Sequence, residues 1–261
     1  MKVVLFCGGR GTRLRDYSDE VPKPMVTLGY RPILWHIMKY YAHFGHRDFI
    51  LCLGYRADSI KEFFLNYEEA VSNDFVLRRG GREKMLLASD IDDWTITFVD
   101  TGIDTTIAGR LLRVRKHLAG EEMFLANYAD GVTDLDLNAY VDEFKSRDEM
   151  LGGLLAVRPP QSYHVVDIAD SGSVNSIGPI GAAPLRLNGG YFVFRQEMLD
   201  EINPGEDIVQ PLERVSAEGR LYAHRFDGFW SPMDTFKEKV YLDDLYESGA
   251  APWVVWKTNG T

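Results

Sequence analysis

The apolar run Val3–Cys7 passes directly into Gly8-Gly9-Arg10-Gly11-Thr12-Arg13-Leu14. A buried strand opening into a glycine-rich turn narrows the choice of fold, because such turns bring backbone N–H groups against phosphate oxygens where a Cβ would obstruct. Walker A chemistry requires Gly-Lys-Ser/Thr, and here Gly11 precedes Thr12-Arg13. A dinucleotide fingerprint requires a third small residue where Leu14 stands. The loop is distinguished by its cations: Arg13 within it, and Lys23 after it in Pro22-Lys23-Pro24. Flanking prolines restrict the backbone and suit a lysine that must meet a transferring phosphoryl group. The glycines alone fit a plain strand-to-helix turn followed by a solvated basic loop equally well.

Strand-length apolar runs alternate with segments of helical period, the signature of an α/β fold with a mostly parallel sheet. Strands are predicted at Val3–Cys7, Phe49–Leu53, Thr95–Val99, Met123–Ala126, Leu154–Val157, His164–Ile168 and Tyr191–Phe194. Helices are predicted after Pro32 (Ile33, Leu34, Ile37, Met38 and Tyr41 share a face), around Ile60–Phe64, and over Leu111–Leu118, Leu137–Phe144 and Phe236–Tyr246. No linker-like stretch or repeat divides the pattern, so one domain over 1–261 is expected. Residues 72–93 lack periodicity and read as an excursion or an oligomer contact. Cys7 and Cys52 fall in buried runs and read as reduced core thiols of a cytoplasmic protein. No apolar segment reaches spanning length.

Lys and Arg total 29 against 39 Asp and Glu, a net charge of −10. That surplus argues against a nucleic-acid or anionic-membrane partner, since either needs a broad cationic face. A small phosphorylated ligand needs only a local cluster. Within residues 1–31, Lys2, Arg10, Arg13, Arg15, Lys23 and Arg31 outnumber Asp16, Asp19 and Glu20, so positive charge gathers around the glycine loop.

Further segments complete a pattern: Pro32-Ile33-Leu34-Trp35-His36-Ile37-Met38, Gly54-Tyr55, Gly109-Arg110-Leu111, Asp130-Gly131-Val132 and Asn188-Gly189-Gly190-Tyr191. With the glycine loop and Pro22-Lys23-Pro24-Met25, the chain resembles the sugar-1-phosphate nucleotidyltransferases. Val99-Asp100-Thr101-Gly102 and Gly228-Phe229-Trp230-Ser231-Pro232-Met233-Asp234-Thr235 are similar to the cytidylyltransferase branch, and the likeness extends to Ala251-Pro252-Trp253. The resemblance implies a Rossmann-like, mostly parallel sheet flanked by helices, with a small sugar-binding β subregion. It implies Mg²⁺-dependent transfer of a nucleotidyl group from an NTP, CTP by the branch, to a sugar 1-phosphate, by the same likeness glucose 1-phosphate, with release of pyrophosphate. It also implies a homo-oligomer.

On this resemblance Gly8, Gly9, Gly11 and Thr12 hold the triphosphate, with Arg110 near the nucleotide. Arg13 stabilises charge on the α-phosphate and the departing pyrophosphate, while Lys23 bridges the reacting phosphates. Asp130 and Asp234 hold the metal, and Asn188, Gly189 and Tyr191 line the sugar pocket. Read without the resemblance, either aspartate could be a turn former or helix cap, Arg110 a helix-surface arginine, and the Asn-Gly-Gly segment an ordinary β-turn.

Three segments depart from the family pattern. Ser176-Ile177-Gly178-Pro179-Ile180 stands where Glu-Lys-Pro usually supplies a lysine to the sugar phosphate, leaving Arg158 or His164 as substitutes. Ile107-Ala108-Gly109-Arg110 replaces Thr-Gly-Gly-Arg near the base, and Ala129-Asp130-Gly131 replaces Gly-Asp-Gly. Two alternatives accompany the main expectation: the same chemistry on a different NTP or non-glucose phosphate, and a nucleotide-sugar-binding protein without turnover.

Overall fold

Val3 and Leu5 point into one apolar cluster and Val4 and Phe6 into another, so the first strand is buried on both faces. Such strands read as continuous apolar runs rather than alternating ones. In the computed structural model, which describes residues 1–9, 21–160 and 163–257, this strand lies inside a seven-stranded sheet. The strands are β1 (Lys2–Phe6), β2 (Asp48–Leu53), β3 (Thr95–Asp100), β4 (Met123–Asn127), β5 (Gly152–Val157), β6 (Leu187–Arg195) and β7 (Leu221–Phe226). Their spatial order is β7-β5-β6-β4-β1-β2-β3. Neighbours pair in parallel except at β6, which is antiparallel to both β5 and β4.

Among the described residues six helices cover the two faces: α1 (Ile33–His43), α2 (Ala57–Leu65), α3 (Ile107–Val114), α4 (Leu137–Lys145), α5 (Val209–Ala217) and α6 (Phe236–Glu247). On one face, α1 contributes Ile33, Leu34, Ile37, Met38 and Tyr41, and α4 contributes Leu137, Tyr140, Val141 and Phe144. On the other, α3 adds Ala108, Leu111 and Val114, and α5 adds Leu212 and Val215. The Rossmann-like α/β expectation therefore holds.

The differences lie where burial is partial. The helix predicted over Leu111–Leu118 begins at Ile107, because the Thr106 hydroxyl accepts from the Gly109 amide at 3.1 Å, and it tightens to 3-10 over Arg115–Leu118. The structure adds α5 and β7, which had no predicted counterpart. Residues 72–93 hold a two-stranded hairpin, Phe75–Arg78 with Glu83–Leu86. It is anchored by buried Asp90, which accepts from Lys39 Nζ at 2.9 Å, Tyr67 Oη at 3.0 Å and Ser72 Oγ. A second hairpin, His164–Ile168 with Val174–Pro179, projects with almost all its residues exposed. Cys7 and Cys52 are free and buried. Among the described residues no helix is long and apolar enough to cross a membrane.

Candidate active site

β1, β2 and β3 end side by side, at Gly8, Gly54 and Gly102. A Cβ on Gly54 would lie 2.6 Å from the Gly8 carbonyl oxygen and 2.9 Å from that of Gly102, so the three strand ends meet more closely than side chains would allow. Arg110, on α3, fills the junction from below. Its guanidinium donates to Gly8 O (3.1 Å), Leu53 O (3.1 Å), Thr101 Oγ1 (2.6 Å) and Ile103 O (3.2 Å). A Cβ on Gly8 would run into that guanidinium. Arg110 lines the cleft between these strand ends, as a buried clamp on them rather than a helix-surface side chain.

Lys23 sits in a short 3-10 turn, Lys23–Met25, entered through Pro22 in extended geometry and backed by buried Pro24. Its ammonium donates to Asp130 Oδ2 at 2.7 Å and to Asp234 Oδ1. Burial works against the charged ammonium, but the two carboxylates outweigh it and hold the Lys23 pKa above that of an ordinary lysine. Asp130 follows β4 through a pinned turn. Asn127 Oδ1 accepts from the Ala129 amide at 2.7 Å, and Ala129 has a left-handed φ of 61°.

Asp234 reaches the same place because the strand Trp230–Pro232 pairs antiparallel with Gly131–Thr133, and the Met233 amide donates to Asp130 O at 2.8 Å. The capping alternative for Asp234 fails. Thr235 caps α6 in a capping box with Glu238, leaving the Asp234 carboxylate to face Lys23.

Two carboxylates from distant parts of the chain therefore converge on one cationic atom. Hard oxygen donors in that number suit Mg²⁺, which commonly takes one or two carboxylates and completes its shell with phosphates and water. Among the described residues no group of three or more His, Cys, Asp or Glu forms a fuller cage.

The residues expected at the sugar divide. Asn188 is exposed beside the cleft; its Nδ2 lies 3.3 Å from Tyr128 Oη, and its Oδ1 accepts from the Gly190 amide at 2.9 Å. Gly189 offers its carbonyl to Trp230 Nε1 at 2.9 Å. Tyr191 corrects the expectation: it is 1% exposed, and its hydroxyl donates to Gly131 O at 2.8 Å, so it supports the Asp130 turn from inside the core. Arg158 is also displaced from the expected role. It binds Asp227 at 2.7 Å and the Gly181 carbonyl at 3.0 Å, in a separate hollow with Arg186 and Arg225. His164 begins the exposed hairpin.

These elements enclose a cleft of about 430 Å³ at the carboxyl ends of the parallel strands, lined by Phe6, Gly9, Lys23, Pro24, Ile103, Thr105, Thr106, Ile107, Arg110, Tyr128, Asp130, Asp207 and Asp234. Open α/β sheets place ligands at this position. Gly11, Thr12 and Arg13 lie outside the described residues. Tyr128 and Asp207 had not been anticipated. Burial, with Asp207 and Asp130 nearby, pushes the Tyr128 pKa up to about 12, so it stays a neutral hydroxyl. Asp207 opens an Asp-x-x-Gln segment, a helix-start signal that gives no hint of a second contact across the fold.

A family model for nucleotidyl transferases matches residues 2–235. The chain is 40% identical over 261 residues to a glucose-1-phosphate cytidylyltransferase of Salmonella typhi, covering 98% of this chain and 100% of the relative. It matches that of Salmonella typhimurium with the same identity and coverage. Among solved structures, a UDP-glucose pyrophosphorylase from Acinetobacter baumannii superposes with a TM-score of 0.68 at 18% identity, covering 94% of this chain and 92% of the other. With the sheet, the clamp on Gly8 and the Lys23–Asp130–Asp234 cluster in place, the match over nearly the whole chain assigns it to the nucleotidyl transferase family.

Proposed function

We propose that the protein transfers the cytidylyl group of CTP to glucose 1-phosphate, giving CDP-glucose and pyrophosphate, with Mg²⁺ as cofactor. The observation that carries this reading is the convergence of Lys23, Asp130 and Asp234, at separations of 107 and 211 residues, beside a glycine turn. The substrates follow from the full-length similarity to glucose-1-phosphate cytidylyltransferases. A phosphate oxygen of the sugar phosphate forms a new bond to the α-phosphorus while the bond from that phosphorus to the bridging oxygen breaks. Pyrophosphate leaves with the electron pair.

The nucleophile is already anionic, so no general base is required. Mg²⁺, when held by Asp130 and Asp234, supplies positive charge to the gathered phosphates. Lys23 is released from those carboxylates to meet the phosphates, and the prolines beside it keep its ammonium near the reacting centre. Gly8 and Gly9 let the backbone approach the nucleotide, and the role of stabilising charge on the α-phosphate and the leaving group falls to Arg13. Asn188 and Gly189 border the sugar. The protein works in the cytoplasm as a homo-oligomer, a reading supported by its free buried thiols and by exposed Leu77, Leu87, Ile168 and Ile177.

One observation favours a different sugar phosphate as a second reading. The segment Ser176–Ile180 carries no cation, and Arg158 and Arg186 both bind Asp227. Pyrophosphate release measured with four NTPs against glucose, galactose and mannose 1-phosphates tests both. CTP with glucose 1-phosphate should dominate, and Lys23→Met should lower its turnover by about 100-fold or more. No release with any pair would sink the proposal, and release favouring another sugar phosphate would establish the second reading.

A further inference from the structure

At one end of the cleft Lys23 neutralises Asp130 and Asp234. Another part of its wall is built where the loop before α5 crosses the start of α3. Thr106 Oγ1 donates to Glu206 O at 2.6 Å, and Asp207 Oδ1 accepts from the amides of Ile107 (3.2 Å) and Ile208 (2.8 Å). Asp207 lines the cleft, yet among the described residues no Lys, Arg or His forms an ion pair with it. A lone carboxylate at the wall of a site for a triphosphate repels its substrate unless it meets a hydrogen-bond donor on it. Its neighbours leave that recognition to Asp207. The Arg110 guanidinium is engaged with strand ends, the Thr106 hydroxyl is engaged at the cap, Ile103 and Ile107 offer no polar side-chain atom, and the Thr105 and Tyr128 hydroxyls, able to donate or accept, do not tell an amino group from a carbonyl.

We propose that Asp207 reads the nucleobase, accepting a hydrogen bond from the exocyclic amino group of cytosine and rejecting the carbonyl that uracil carries there. This deepens the CTP reading and rests on it. A carboxylate is acceptor-only, so it pairs with an amino group and is left facing a like acceptor on uracil, which otherwise has the same shape. Mispairing of that kind discriminates more strongly than shape does.

Asp207→Asn separates the two duties of the side chain. Its amide oxygen still caps Ile107 and Ile208, while its second group becomes a donor suited to uracil. The kcat/KM ratio for CTP over UTP, with glucose 1-phosphate as acceptor, should fall by about 10-fold or more, with CTP losing and UTP gaining. Asp207→Ser keeps a capping oxygen and should lose CTP without gaining UTP. Calorimetric binding of CTP and UTP should show the same change in ratio. Unchanged ratios in both variants, with unchanged thermal unfolding, would overturn the assignment. Wild-type protein that binds CTP over UTP yet releases no pyrophosphate would instead overturn the proposed reaction, and the binding ratios would still decide the role of Asp207.

Discussion

Ala129 is fully buried and adopts φ 61°, a conformation that costs a non-glycine residue about 1 kcal/mol. It immediately precedes Asp130, so this backbone turn aims the carboxylate. Glycine would relieve the strain but lose a buried methyl group, and Ala129→Gly should therefore change stability by less than about 1 kcal/mol. Ala129→Val adds β-branching to a left-handed residue and should cost more than about 2 kcal/mol and depress turnover, as checked by urea unfolding and pyrophosphate release. Lys23, Asp130 and Asp234 were legible because each lies in a short distinctive segment. Asp207 was not, since its local pattern describes a helix start and its second contact comes from the first residue of α3, a hundred residues away. Tyr191 was misread for a related reason: motif position does not reveal that β6 is buried on both faces, which leaves Tyr191 packed against Tyr40 and Tyr41.

Among elements, the hairpin Phe75–Arg78/Glu83–Leu86 depends on its base more than on its own pairing, since an isolated two-stranded ribbon is marginal in water. Asp90 supplies that base, bonding Lys39, Tyr67 and Ser72, while Arg31 packs 4.2 Å from the Tyr67 ring. Asp90→Asn removes the charge from a buried network and should loosen residues 66–93 by about 3 kcal/mol. Amide exchange should accelerate there while β1 and β4 stay protected. The same hairpin had no predictable period because neither of its faces is buried. Strands sealed on both sides, such as β1, β2 and β4, announced themselves as apolar runs. β7, an edge strand carrying His224 and Arg225, and α5, with Pro211 in its first turn, did not.

Across the molecule, the apolar interior that builds the site also makes the protein sensitive to acid. His36 is fully buried in α1 among Trp35, Tyr246, Trp253 and Trp256, with Nε2 donating to Leu28 O at 2.9 Å. Burial lowers its pKa to about 4; the Leu28 contact opposes the shift and Arg31 adds to it. The unfolded chain binds this proton near pH 6.5, above the folded pKa. Stability is therefore complete above about pH 6.5 and falls by about 3 kcal/mol as pH drops to about 4. His46, lowered to about 4 by burial, adds to the same slope. His36→Phe should flatten that pH dependence without abolishing it, as shown by urea unfolding at pH 7 and pH 4.5.

Lys23 and Asp234 meet across 211 residues, and a short strand pair seats one carboxylate beside the other. Nothing resembling this pocket can exist on a ribosome-bound chain until its last strand pair has emerged and docked. Nucleotide can therefore recognise only molecules that have finished folding. By mass action, a cell rich in that nucleotide stabilises the completed enzyme over every partial form.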